Sequence, residues 1–136
     1  MPEVQELLKK ALSKATSDIE KHTGTGLNEQ DTKHALIAPI LEALGWSMSN
    51  LDMVRAEYRC TSKDNPVDYA LFSDRRPVLY VEAKALDVAI DDHKVLTQVI
   101  SYANASTVGW ALLTNGRTWA LYNVFEKVQP QQRCLF

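Results

Sequence analysis

Asn65-Pro66-Val67-Asp68-Tyr69-Ala70-Leu71-Phe72-Ser73-Asp74-Arg75-Arg76-Pro77-Val78-Leu79-Tyr80-Val81-Glu82-Ala83-Lys84 is the stretch that decides the fold. Two apolar runs, Pro66 to Phe72 and Val78 to Lys84, flank the polar segment Ser73 to Pro77, the pattern of two strands joined by a turn. A five-residue loop centred on Arg75 sets Asp68 opposite Glu82. Strand alternation then puts Asp68, Glu82 and Lys84 on one face, with Val67, Tyr69, Leu71, Val81 and Ala83 on the other. All three charged groups lie in apolar strands, where a charge needs a partner.

Two carboxylates facing each other repel unless a cation or a proton sits between them. A hard divalent ion meets that need, because Mg²⁺, with Mn²⁺ as a substitute, favours carboxylate oxygens and keeps waters it can activate. Lys84 would stand beside such an ion, its fixed charge orienting a nucleophile and offsetting charge that develops in a transition state. An ExK triplet alone recurs by chance in chains of this length. Taken in isolation, Glu82 and Lys84 also read as a surface salt bridge. It is the apolar flanks and the paired Asp68 that favour a site.

Working outward, residues 3–22 carry Val4, Leu7, Leu8, Ala11, Leu12, Ala15 and Ile19 at helical spacing. Thr23-Gly24-Thr25-Gly26 breaks that helix. Asn28 caps a second one, which has Glu29 and Asp31 in its first turn, is bent or split by Pro39, and stops at Gly45. Residues 53–60 alternate as a strand. A helix over 90–105 opens with Asp91 and Asp92, and residues 108–114 form an apolar strand. Asn115-Gly116 turns the chain into an antiparallel return over 117–125, and Leu135-Phe136 could begin a further short strand. The order α-α-β-β-β-α-β-β, without repeat or linker, predicts one α/β domain over residues 1–136. Its N-terminal helix lies in 1–26, its core spans 28–125, and a mixed central sheet is flanked by helices.

Within this order the chain resembles the PD-(D/E)xK nucleases, whose core is restriction-endonuclease-like. Asn65-Pro66-Val67-Asp68 and Val81-Glu82-Ala83-Lys84 are similar to the split signature, and Gln98-Val99-Ile100-Ser101-Tyr102 to the QxxxY motif of a subset. Asn28-Glu29, Pro39 to Trp46, and Leu113 to Trp119 resemble the N-terminal nuclease domain of type I restriction-enzyme R subunits and solitary type IV-like relatives. The resemblance implies a Mg²⁺-dependent endonuclease acting on DNA, with Asp68 and Glu82 as metal ligands and Lys84 as the catalytic lysine. It further implies Glu29 as an additional acidic ligand or water-holder, and Gln98 and Tyr102 as site-lining residues that contact substrate backbone or fix Lys84. Glu29 is equally explained by the helix dipole, and Gln98 with Tyr102 by a helix-bracing pair. Two departures stand out: Val67 separates Pro66 from Asp68, and no helicase-like motor follows. A fragment or a solitary relative is therefore expected. Partners implied are DNA, a second copy for double-strand cleavage, or other restriction-modification subunits. A non-catalytic nuclease-fold module that binds DNA or a protein is the alternative.

Bulk properties narrow the field further. The 136 residues are 46% hydrophobic and 24% charged, a globular composition. No apolar run reaches the roughly 20 residues that span a bilayer. The N-terminus lacks the basic and long apolar regions of a signal peptide, so a cytoplasmic location is expected, with no membrane partner. Cys60 and Cys134 stand far apart, which argues against a disulfide scaffold or a thiolate zinc site. His22, His34 and His93 have no ligand spacing, and no glycine-rich phosphate loop occurs. The net charge of −2 does not announce a nucleic-acid binder. Even so, Arg55, Arg59, Lys63, Arg75, Arg76 and Lys84 concentrate positive charge mid-chain, where a phosphate backbone or plain solvent could meet it.

Overall fold

Helix α1 (Pro2–His22) follows its apolar spacing, yet it lies on the surface. Among its described side chains only Ala15 is buried, and Val4, Leu7 and Leu12 stay exposed. The computed structural model describes residues 2–61 and 65–125, so Lys63, Cys134 and the expected strand at Leu135-Phe136 lie outside the described residues. Gly24 (φ 79°) and Gly26 (φ 75°) turn the chain after α1, and the Asp87 carboxylate accepts both of their N–H groups, at 2.9–3.2 Å.

Asn28 caps α2 (Glu29–Thr32), its side chain accepting the Asp31 N–H at 2.7 Å. Pro39 then acts as expected of a proline inside a helix, by an uncommon route. It has no N–H to return to the preceding turn, and the helix widens into a π-turn (Lys33–Ile37), where Ala38 N–H reaches five residues back to Lys33 C=O. Helix α3 (Ala38–Ala43) follows. It ends in a Schellman arrangement, with Gly45 at φ 106° and the Trp46 N–H donating to Leu41 C=O at 3.0 Å.

Five strands form one sheet in sequential order: β1 (Val54–Tyr58), β2 (Val67–Ser73), β3 (Arg76–Ala83), β4 (Trp110–Thr114) and β5 (Trp119–Asn123). All neighbours are antiparallel except β3 and β4. That parallel pair requires a crossover, supplied by α4 (His93–Ala105), which Asp92 caps through the Lys94 and Val95 N–H groups. On one face Ile37 and Leu41 pack with Leu71, Val81, Ala83 and Leu112. On the other, α4 packs Leu96, Val99 and Ile100 against Ala70, Tyr80 and Ala111. Strands β2 to β5 thus each present apolar residues to both helical layers. Among the described residues no helix is long and apolar enough to cross a membrane.

Both hairpin turns differ from the sequence expectation. The β2–β3 loop is two residues long, Asp74-Arg75, with φ of 51° and 66°; positive φ at both central positions is what a type I′ turn demands. Continued from Ser73↔Arg76 and Phe72↔Pro77, that register would bring Val81 opposite Asp68. Between Leu71 and Phe72 the register shifts, Val78 being the extra residue on β3, and the pairs become Leu71↔Leu79, Ala70↔Tyr80 and Tyr69↔Val81. Glu82 is thereby returned to the level of Asp68. In the β4–β5 hairpin the central residues are Gly116-Arg117, one position later than expected. Asn115 N–H donates to Thr118 C=O at 3.3 Å, and the Asn115 side chain accepts the N–H groups of Arg117 and Thr118. The asparagine holds the turn from outside it.

Candidate active site

The ladders on both sides of β2 lose regularity at Asp68. On the β1 side the residue across from it is Glu57, which has φ 50° and is skipped in the pairing between Ala56↔Tyr69 and Tyr58↔Val67. On the β3 side, paired positions stop at Tyr69↔Val81, and the Ala83 N–H donates instead to Asp68 Oδ2 at 2.7 Å. Alternation breaks with them. Val67 joins the α4-side cluster, while Tyr69 packs toward the α3 side, so the expectation that Val67 shares a face with Tyr69 and Leu71 is corrected.

At this opening the side chains of Asp68 and Glu82 hydrogen-bond to each other directly. Burial, then the hydrogen bond and charge of Asp68, push the Glu82 carboxyl up to about 9. Asp68 moves the other way. Burial alone would raise it, but hydrogen bonds from Glu82, the Ala83 amide and the Lys33 ammonium hold it below the ordinary carboxylate value. One proton shared on the Glu82 side relieves the repulsion, as two facing carboxyls require.

Lys33 is the residue that sequence reasoning missed. Its Nζ donates to Asp68 Oδ1 at 2.9 Å and to Glu57 Oε1 at 3.3 Å. The residue is only 7% exposed, so this is a buried ion pair bridging α-helical layer and sheet. Burial pulls the ammonium down, but the hydrogen bonds and charges of Asp68 and Glu57 outweigh it and raise the lysine. Asp68 is consequently well satisfied by protein groups. A signal was present: Lys33 leads the buried stripe Leu36, Ile37, Ile40, Leu41, at spacings of 3, 4, 7 and 8. A lysine at the head of a buried stripe needs a carboxylate.

The same helical turn contributes twice more. Thr32, fully buried, accepts the Leu86 N–H at 3.1 Å through Oγ1 and donates to Asn28 C=O at 2.8 Å. It ties the backbone just beyond Lys84 to α2. Glu29 stands near enough that its carboxyl is raised, first by partial burial and then by the Asp68 charge, with Lys33 and Lys84 pulling it down. Lys84 anchors its N–H on Thr114 C=O at 2.8 Å, and its positive charge acts on both Glu82 and Glu29. Among the described residues no three His, Cys, Asp or Glu side chains gather as a metal-binding group; Glu29 is a neighbour of the pair rather than a third member. A cleft of about 480 Å³ is bordered by Lys33, Glu57, Asp68 and Tyr69.

The model for the N terminus of the type I restriction enzyme R protein matches residues 28–133. The chain belongs to this family. Among solved structures it is similar to a chain described as a fragment of an HsdR subunit of a type I restriction enzyme from Vibrio vulnificus YJ016. The TM-score is 0.59 and the identity 23%, over 72% of this chain and 21% of that one. At that identity the likeness speaks for the fold, a restriction-endonuclease-like core, and the chain spans about a fifth of that protein's length. No curated protein matches the chain. In this R-protein N-terminal domain, Gln98 and Tyr102 sit apart from the carboxyl pair in their bonding. Gln98 Nε2 donates to the Tyr102 hydroxyl at 2.9 Å, and Asn65 Nδ2 donates to the same oxygen at 3.0 Å. The pair therefore ties α4 to the segment three residues ahead of Asp68.

Proposed function

We propose that the chain is a divalent-metal-dependent endonuclease domain of the restriction type, hydrolysing DNA phosphodiester bonds. The observation that carries this reading is the direct contact of the Asp68 and Glu82 carboxyls, with the Lys84 charge acting on Glu82. The donor set fits a hard cation: the pair draws positive charge from every available source, namely the Lys33 ammonium, the Ala83 amide and a retained proton. Mg²⁺ or Mn²⁺ held by Asp68 and Glu82 would supply the charge that makes a water nucleophilic near neutral pH and offsets charge on the phosphate. Lys84 then orients the attacking water and stabilises the charge that builds on the phosphoryl oxygens. Glu29, with its raised carboxyl, is suited to hold or accept a proton at the edge of the site. Gln98 and Tyr102 would steady the approach of the substrate backbone.

DNA, a second copy for double-strand cleavage, and other restriction-modification subunits are the partners that fit this reading, in the cytoplasm. The second reading, a non-catalytic DNA- or protein-binding module, is favoured by one observation. Asp68 is already neutralised by Lys33, so the pair is stable without an ion. A plasmid-cleavage assay in Mg²⁺ and in Mn²⁺ separates the two. Wild type is expected to cut. Lys84→Ala is expected to lose a hundredfold or more in rate, on the order of 3 kcal/mol, with the fold intact by circular dichroism. Equal rates for both proteins would refute the role of Lys84, and a wild type that never cuts while still binding DNA would favour the second reading.

A further inference from the structure

We infer that Lys33 is a positioning residue that serves as the site's resident second cation, so that Asp68 and Glu82 take one divalent ion and not two. This rests on the metal-site reading above, and it follows from geometry and charge. The Lys33 ammonium is 2.9 Å from Asp68 Oδ1, and the two side chains are 9% and 7% exposed. In such surroundings a charge pair is screened little by salt or water, so the ammonium is a fixed part of the site. Its second arm, 3.3 Å to Glu57 Oε1, holds it from the opposite strand.

Asp68 therefore offers limited capacity. Oδ1 already receives Lys33 and Oδ2 already receives the Ala83 N–H, which leaves about two of its roughly four lone-pair positions even after an ion displaces the proton shared with Glu82. The charge count points the same way. Once an ion displaces the proton that the pair holds in the metal-free protein, the formal charges of Asp68, Glu82, Glu29 and Glu57 and of Lys33 and Lys84 sum to two negative, which is what one divalent ion neutralises. A second ion would leave the site two charges positive before any phosphate arrived. A third ligating side chain to share it is also absent among the described residues.

The test is a Mn²⁺ titration of the full chain, followed by electron paramagnetic resonance and calorimetry. Wild type is expected to bind one Mn²⁺ per chain, and Asp68→Asn to lose it. Lys33→Gln keeps a hydrogen-bond donor for Asp68 but removes the charge. It is expected to bind the first Mn²⁺ roughly tenfold more tightly or better and to accept a second, seen as a spin-coupled pair. Lys33→Arg, which keeps the charge, should stay at one. A Lys33→Gln protein that folds and still binds one Mn²⁺ with wild-type or weaker affinity overturns the inference and leaves Lys33 a brace. Two ions in wild type overturn it as well, and this count stands even if the Lys33 variants do not fold. A wild type that binds no Mn²⁺ overturns the metal-site reading itself and this inference with it.

Discussion

Glu82 sits where burial and a neighbouring carboxyl act in the same direction, which makes the metal-free protein sensitive to pH at this position. Its carboxyl is raised from 4.5 to about 9, so the folded state holds a proton that the unfolded chain releases. Stability from this group is complete below pH 4.5 and is lost as pH climbs toward 9. The denaturation midpoint of the metal-free chain should therefore fall across that window, and Glu82→Gln should flatten the fall. An unchanged slope in Glu82→Gln would show that the proton is held elsewhere. Asp68, Glu82 and Lys84 could be picked out from the sequence because charge inside an apolar strand is conspicuous. Lys33 and Glu57 could not, for complementary reasons. A helical lysine is read as solvated by default, and Glu57 fits the charged alternation of an exposed strand. Only the left-handed backbone at Glu57 and the packing of the π-turn on the sheet reveal that both answer to Asp68.

The elements themselves were largely readable, since helical spacing and period-two alternation are local signals. Their turns were not, because a turn's register depends on which strands it joins. Asn115-Gly116 looks like a hairpin centre, but the centre is Gly116-Arg117, and the reason is tertiary. At Gly116 a Cβ would lie 2.9 Å from Leu36 Cβ, on a backbone with φ 86°, so the β4–β5 turn is pressed onto the π-turn of the N-terminal layer. Gly116→Ala combines a clash with an unfavourable φ and should cost about 1–3 kcal/mol. A thermal melt checks this: a loss well under 1 kcal/mol would mean that Leu36 moves aside freely. Pro39 is the opposite case, where the disruption was foreseeable and its resolution as a π-turn was not. How a helix absorbs a missing N–H depends on what its wider turn can pack against.

Across the molecule, the polar ties between the N-terminal layer and the rest of the fold include Lys33 to Asp68 and Glu57, Thr32 to the Leu86 amide, Asp87 to the glycine turn, and Arg117 to the Thr23 hydroxyl. Helix α1 lies outside these ties. Removing residues 2–22 while keeping the Gly24–Gly26 turn should lower the melting temperature by only about 5 °C and leave Mn²⁺ binding unchanged. A chain that unfolds on this truncation would show that α1 is integral to the core. The α/β class and the element order were legible because they follow from the sequence of local patterns. The buried ties were not, since each joins residues dozens of positions apart. The extra residue at Val78 has a further effect on the whole. Strand β3 is held in place from Leu79 to Ala83 by its parallel partner β4, so the irregularity acts as an expansion joint between the hairpin tip and the carboxyl pair. Deleting Val78 should take up that slack and leave Asp68 level with Glu82, with Mn²⁺ affinity unchanged by calorimetry; lost affinity would mean that the joint carries strain into the site. The tip bearing Arg75 and Arg76 is then free to vary in length by a residue without retiming the chemistry behind it.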